Sequence, residues 1–204
     1  LKDYPVTPLP FTAVRFQDVF WTPRIRTNRQ VTIPLAFRKC EETGRVQLLE
    51  RAAAALRGEE PAHRENPGYP FDDTDVYKTI EGAAYALKVE GDPALESYVD
   101  GLVRKIEAAQ EPDGYLYPAR IVNPSDPHPW SGKERWALEK ELSHELYNLG
   151  HLFEAAVAWR EATGKDDLLK VSLRAAEMLD RTFGKGKRSI WPGHQIVEMG
   201  LAKL

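Results

Sequence analysis

Two stretches of this 204-residue chain repeat one helix-turn-helix pattern, and that pattern constrains the fold more than any other feature. From Asp73 to Glu90 the apolar residues Val76, Tyr77, Ile80, Ala83, Ala84 and Leu87 follow the three-and-four spacing of a helix with one buried face. Gly91-Asp92-Pro93 stops it, and a second helix runs from Pro93 to about Gln110 with Leu95, Tyr98, Val99, Leu102, Val103 and Ile106 on its inward stripe. The pattern returns from Glu139 to Thr163 (Leu142, Leu146, Leu149, Leu152, Phe153, Ala156), turns at Gly164-Lys165-Asp166 and resumes from Asp167 to Asp180. Superposing Gly91 on Gly164 gives an internal repeat offset by 73 residues, longer than the periods of about 34 to 47 of common helical solenoids. A third hairpin begins near Pro192 with Ile196, Met199, Gly200 and Leu204, and its first helix has no partner in the sequence. Helices this apolar need neighbours on both sides, so the chain is expected to be all-α and to form part of a larger helical toroid. A complete helical domain with a frayed last helix is the alternative.

Before these hairpins, Pro5, Pro8 and Pro10 forbid a long helix and suggest an extended arm over residues 1–21. Thr22-Pro23 looks like a helix N-cap followed by proline at the first helical position, Gly44 looks like a stop, and Pro34 should break or kink the stretch between. An opening Leu1 is what a processed or excised chain would show. Composition narrows function further. The 28 basic and 31 acidic residues nearly cancel, leaving no basic field for nucleic acid, and no apolar run approaches the roughly 18 to 20 residues that span a bilayer. The lone Cys40 forms no internal disulfide, and there is neither a Cys-x-x-Cys nor a His-x-x-x-His pair to close a zinc site. Serine-hydrolase elbows, phosphate loops and dinucleotide fingerprints are absent as well.

Carboxylates, histidines and aromatics at helix starts and in loops remain, a combination that suits carbohydrate. Asp72, Asp73 and Asp75 crowd the start of a helix, where negative charge interacts favourably with exposed amides. Capping accounts for one or two of them. Asp75, inside the first turn and close to Lys78, is a candidate for a polar pocket. His144 and His151 are seven residues apart, about 10.5 Å along a helix, too far to share one zinc ion. His144 near the helix start is then the pocket candidate and His151 the structural histidine. Gly193-His194-Gln195 places a second imidazole at the corresponding start of the next helix, next to a glycine that permits close approach. The tails 111–135 and 183–192 are rich in Gly, Pro and aromatic residues, as loops serving a site are. Tyr115 and Tyr117 there are either sugar platforms or packed plugs, and Trp130 and Trp136 flank a plausible rim or lid.

The ordered set Val19-Phe20-Trp21-Thr22-Pro23-Arg24, Thr32-Ile33-Pro34, Phe71 to Lys78 with Ile80 to Tyr85, Gln110 to Tyr117, His144-Glu145-Leu146-Tyr147 and Pro192-Gly193-His194 resembles glycoside hydrolase family 127, the beta-L-arabinofuranosidases, over essentially the whole chain. The resemblance implies an (α/α)6 barrel of which residues 22–204 are the N-terminal portion, about half. It also implies a retaining glycosidase with a cysteine-thiolate nucleophile, a Zn2+ ion held by cysteines and a glutamate, and a second glutamate as acid/base. Those groups lie in the later half of the family's barrel, and Cys40 matches none of them, so no catalytic residue and no metal ligand is expected in this chain. His144 and His194 match histidines that the family uses to bind arabinofuranose, and Asp75 joins them from its place at the inner mouth. A carbohydrate is therefore the expected partner, neither nucleic acid nor membrane is, and uncovered helix faces would promote self-association or association with the rest of the barrel. The compartment, bacterial cytoplasm or periplasm, is left open. Two rivals use the same helices: an (α/α)6 unsaturated-uronide hydrolase with Asp73 or Asp75 as acid/base, and a non-enzymatic helical repeat whose tail 111–135 would be disordered.

Overall fold

The computed structural model of the chain describes residues 7, 9–59 and 68–204. Of the expected arm, residues 1–6 and 8 lie outside them. Of the remainder, Phe11–Ala13 forms a short 3-10 turn, and the Phe11 ring packs edge-on against Tyr85 at 5.8 Å. Helix α1 (Trp21–Thr27) passes through a π turn (Asn28–Thr32) into α2 (Ile33–Glu42). The break expected from Pro34 thus takes the form of a wide turn just ahead of the proline, where a ring without an N–H would otherwise crowd the carbonyl four residues back. Thr22 is not the cap. The helix starts one residue earlier, and Asp18 accepts the backbone N–H of Phe20 at 2.7 Å and that of Trp21 as well.

Gly44, with φ of 82°, turns the chain into α3 (Arg45–Leu56), a helix that the sequence reading leaves unassigned. Next come α4 (Thr74–Val89) and α5 (Pro93–Ala108), the latter capped by Asp92 through the N–H groups of Ala94 and Leu95. A single turn, α6 (Pro118–Ile121), interrupts the long tail before α7 (Glu145–Thr163), α8 (Asp167–Thr182) and α9 (Ile196–Lys203). Among the described residues the sole β pairing is an isolated bridge between Phe183 and Arg188, and no helix is long and apolar enough to cross a membrane.

Cross-links between the helices fix their directions. Asn148 binds Asp73 near the starts of α7 and α4, and Lys88 binds Glu161 near their ends, so the two run parallel. Gly150 and Glu154 of α7 meet Gly200 and Lys203 of α9, which adds a third parallel helix to the row. Behind it, Asp100 with Lys165 and Glu107 with Arg174 align α5 with α8, each antiparallel to the helix it follows. The fold is all-α, and an inner parallel row backed by an outer row running the other way is the arrangement of an α/α toroid. α2 lies along the other flank of α4, and α3 packs behind against α5 and α6.

Burial follows position in the row. α7 has neighbours on three sides and buries residues all round, Glu145, Asn148 and Glu154 included, while α8 buries one stripe: Leu168, Val171, Ala175, Met178 and Leu179. The approach of α7 to α9 is set by glycine. A Cβ on Gly150 would lie 2.6 Å from the Val197 nitrogen and 2.7 Å from the Ile196 carbonyl carbon, so no side chain fits there. α9 buries Val197 and Gly200, and Met199, an expected inward residue, is exposed.

Candidate functional site

α4, α7 and α9 begin at one end of the inner row, and that end gathers the polar residues singled out above. α7 starts six residues later than its apolar pattern suggests, at Glu145, because His144 adopts a left-handed backbone with φ of 59°. A non-glycine residue holds this conformation when its surroundings impose it. Here they do: the Tyr117 hydroxyl donates to the Ser143 carbonyl at 2.5 Å, the Ser143 hydroxyl donates to Glu139 at 3.2 Å, and Glu139 also accepts the Leu146 N–H at 3.2 Å. Both sides of His144 are fixed by buried bonds. Its Nδ1 lies 2.8 Å from the Leu142 carbonyl, which occupies one of the two ring nitrogens.

The residue that organises the end of the row is Tyr147. His144, His151 and His194 all pack edge-on to its ring, at centroid distances of 5.6, 4.5 and 4.9 Å, and the Lys78 ammonium lies 5.0 Å from its centre. His144 and His194, from the chain just before α7 and α9, therefore share one environment. Phe71 closes the other side of His144 at 4.9 Å. His151 is half-buried beneath the tyrosine. Burial, with help from the nearby Lys78 and His194, pushes its pKa down to about 4, so it is neutral at ordinary pH.

Asp75 stands next to this group through Lys78, 3.6 Å away, and its other oxygen accepts from Arg45 at 2.7 Å. Arg45 also reaches Asp72 at 3.1 Å. The aspartates at the start of α4 bind neighbouring helices: none caps α4 through its side chain, and Asp73, with no exposed surface, accepts from Asn148 at 2.8 Å. Burial raises the Asp73 carboxyl to about 7. This corrects one expectation, since an acid/base inaccessible to solvent cannot serve a substrate.

Beneath His144 lies a floor of two more buried carboxylates. Glu145 accepts the Tyr115 hydroxyl at 2.5 Å and the Trp136 N–H at 2.6 Å, yet burial still raises it to about 7. Glu139 is raised to about 7 by burial and by the charge of Glu145. Tyr115 and Tyr117 are fully buried and Trp136 nearly so; they are packed plugs, whereas Trp130 keeps 37% of its surface open. The tail is ordered, against the non-enzymatic rival: Arg135 pairs with Glu111 and Asp113 at 2.6 Å each, and Arg120 donates to the Gly132 and Lys133 carbonyls.

On the other flank of Asp75 an open cleft of about 390 Å3 separates α2 from α4, lined in part by Lys39, Cys40, Thr43 and Thr79. Cys40 is buried and free, and burial followed by the charge of Asp75 raises its thiol above the usual range, which makes it a poor nucleophile. Among the described residues no three of His, Cys, Asp and Glu are grouped to hold a metal ion. Sequence reasoning missed Tyr147 and Arg45. The first was hidden in a helix-spaced apolar pattern, the second in the unassigned helix 30 residues from its partner.

Residues 13–204 match the catalytic domain of the GH127 beta-L-arabinofuranosidases. A non-reducing end beta-L-arabinofuranosidase of Bifidobacterium longum subsp. longum is 42% identical over 140 residues, which cover 67% of this chain and 20% of that protein. Among solved structures, a GH127 beta-arabinofuranosidase superposes with a TM-score of 0.92 at 50% identity, over 98% of this chain and 31% of its own. A GH127 beta-L-arabinofuranosidase from Geobacillus stearothermophilus T6 superposes with a TM-score of 0.81 at 31% identity, over 93% and 29%. The chain spans about a fifth of the curated relative and under a third of these structures. The family match covers nearly every residue and the inner row superposes on solved members, so the chain belongs to the GH127 beta-L-arabinofuranosidase family of glycoside hydrolases.

Proposed function

We propose that this chain forms the sugar-binding wall of a retaining glycosidase that acts on non-reducing terminal L-arabinofuranosides or related plant sugars, with His144 and His194 as the hydrogen-bonding contacts. The observation that carries the reading is the packing of both imidazoles against the one ring of Tyr147. Nδ1 of each ring is already engaged, donating to the Leu142 carbonyl in His144 and accepting the Ile196 N–H in His194, which leaves an acceptor Nε2 on His144 and a donor Nε2–H on His194 for the hydroxyls of a furanose. Asp75, between Arg45 and Lys78, supplies the charged side of the same wall. His151, neutral beneath Tyr147, adds no charge to the sugar side.

In this proposal the reacting groups come from polypeptide outside these 204 residues. The thiol of Cys40 is raised rather than activated, and the described residues do not fit a zinc site, so neither a covalent step nor a metal-assisted one is assigned to the residues of this chain. Zinc would belong to the whole enzyme, with its ligands elsewhere.

Calorimetric titration with methyl β-L-arabinofuranoside tests the reading. His144→Ala and His194→Ala should each weaken binding about tenfold, the cost of one lost hydrogen bond. Equal affinity in the parent and both variants would overturn it.

A further inference from the structure

The rings around His144 do not end at the histidine pair. Phe71, in contact with His144, stacks nearly parallel on Tyr69, with centroids 5.2 Å apart and planes at 9°. Tyr69 meets Trp130 at 5.7 Å, and Trp130 meets His128 at 5.9 Å. The exposed rings of this row are Tyr69, half open to water, and Trp130, over a third open. We propose that Tyr69 and Trp130 form a second sugar subsite, which receives the residue next to the arabinofuranose in an oligosaccharide substrate.

Three observations support this assignment. Tyr69 adjoins His144 through one intervening ring, Phe71, and Trp130 lies on the far side of Tyr69, where the second unit of a chain entering the site would lie. The row is held in place by buried polar groups. Asp72, itself buried, accepts the Tyr69 N–H at 3.2 Å, and the buried His128 accepts the Trp130 N–H through Nδ1 at 3.1 Å. Rings fixed before the ligand arrives lose little freedom on binding. Finally, the chemistry is that of a saccharide face: aliphatic C–H groups lie against the negative face of an aromatic ring while the hydroxyls stay in water. Trp136, flanking the same loop, is buried against Tyr115 and Phe183 and takes no part.

The inference rests on the sugar-binding reading of His144 and His194, and one pair of ligands separates the two. Dissociation constants of the protein are measured by saturation-transfer difference NMR for methyl L-arabinofuranoside and for an L-arabinofuranose disaccharide. The disaccharide should bind about two- to twelvefold more tightly, the gain that one stacked ring supplies. In Trp130→Ala that ratio should fall to about one. Tyr69→Ala, at a side chain half open to water, should do the same without disturbing the fold. A ratio of one in the parent, or a ratio unchanged in both variants, would overturn the subsite and leave the histidine pair standing. Failure of both ligands to bind would overturn the histidine reading and the subsite with it.

Discussion

His144 and His194 reach the same tyrosine from backbones held in different ways. On the His144 side, Ser143 and Leu146 are tied to Tyr117 and Glu139, in a buried network that also includes Glu145, Tyr115 and Trp136. The His194 side is open. Its Nδ1 accepts the Ile196 N–H at 3.3 Å, and the neighbouring Trp191, 65% exposed, lies under the Lys140 ammonium at 3.6 Å. What fixes His194 is the absence of side chains: Gly193 sits on the Glu139 carbonyl, and α9 is drawn onto α7 at Gly150. One imidazole is set by bonds and the other by close packing. The two should fail in different ways.

The packed side is the more fragile. Gly150→Val places atoms inside the backbone of α9 and should cost on the order of 3 kcal/mol or more, a fall in Tm of roughly 10 °C, together with most of the sugar affinity. Thermal unfolding alongside a binding titration checks both. On the bonded side, Glu145→Ala leaves the Tyr115 hydroxyl and the Trp136 N–H buried without partners, and a loss of about 2 to 4 kcal/mol is expected. Limited proteolysis should then cut within 111–144 before it cuts α9.

Charge distinguishes the network again. Asp73 keeps its proton to about pH 7 when folded, whereas an unfolded aspartate loses it near 4. Across that window the folded state binds more protons, so stability contributed by this group falls as pH rises from about 4 to 7 and levels off above. Asp73→Asn, whose amide oxygen can still accept from Asn148, should flatten this slope, by up to about 4 kcal/mol between the two ends. Denaturant midpoints in both proteins across that range decide it, and parallel slopes would contradict the assignment. Gly193→Ala has the smallest expected effect. Its Cβ would lie 2.8 Å from the Glu139 oxygen, so sugar affinity should drop about threefold with Tm nearly unchanged, because His194 shifts while the core does not.

The same contrast explains what could be read in advance. α4, α5 and α8 carry one apolar stripe each between Gly or Pro stops, and their limits lie within a residue or two of the spacing-based expectation. The apolar spacing starts α7 too early because Leu142 continues its period, while the left-handed turn at His144 depends on partners up to 26 residues away. In α3, Val46, Leu49, Ala52 and Ala53 do repeat at helical spacing, but alanine is too weakly apolar for the stripe to stand out. At the site, His144, His194 and Asp75 could be picked from the start of a helix or its approach; Tyr147 could not, because a tyrosine at helical spacing reads as core. The carboxylates were the most misleading. Asp72 and Asp73 look like caps, and only the folded chain shows that they bind Arg45 and Asn148.

The account turns on His144 and His194 acting as one site. Following both imidazoles by 1H–15N NMR during a titration with methyl β-L-arabinofuranoside measures this directly. The expected result is that both rings shift along curves with a single dissociation constant, and that Tyr147→Leu weakens the response of each. Movement of only one ring, or two rings with separate constants, would contradict it.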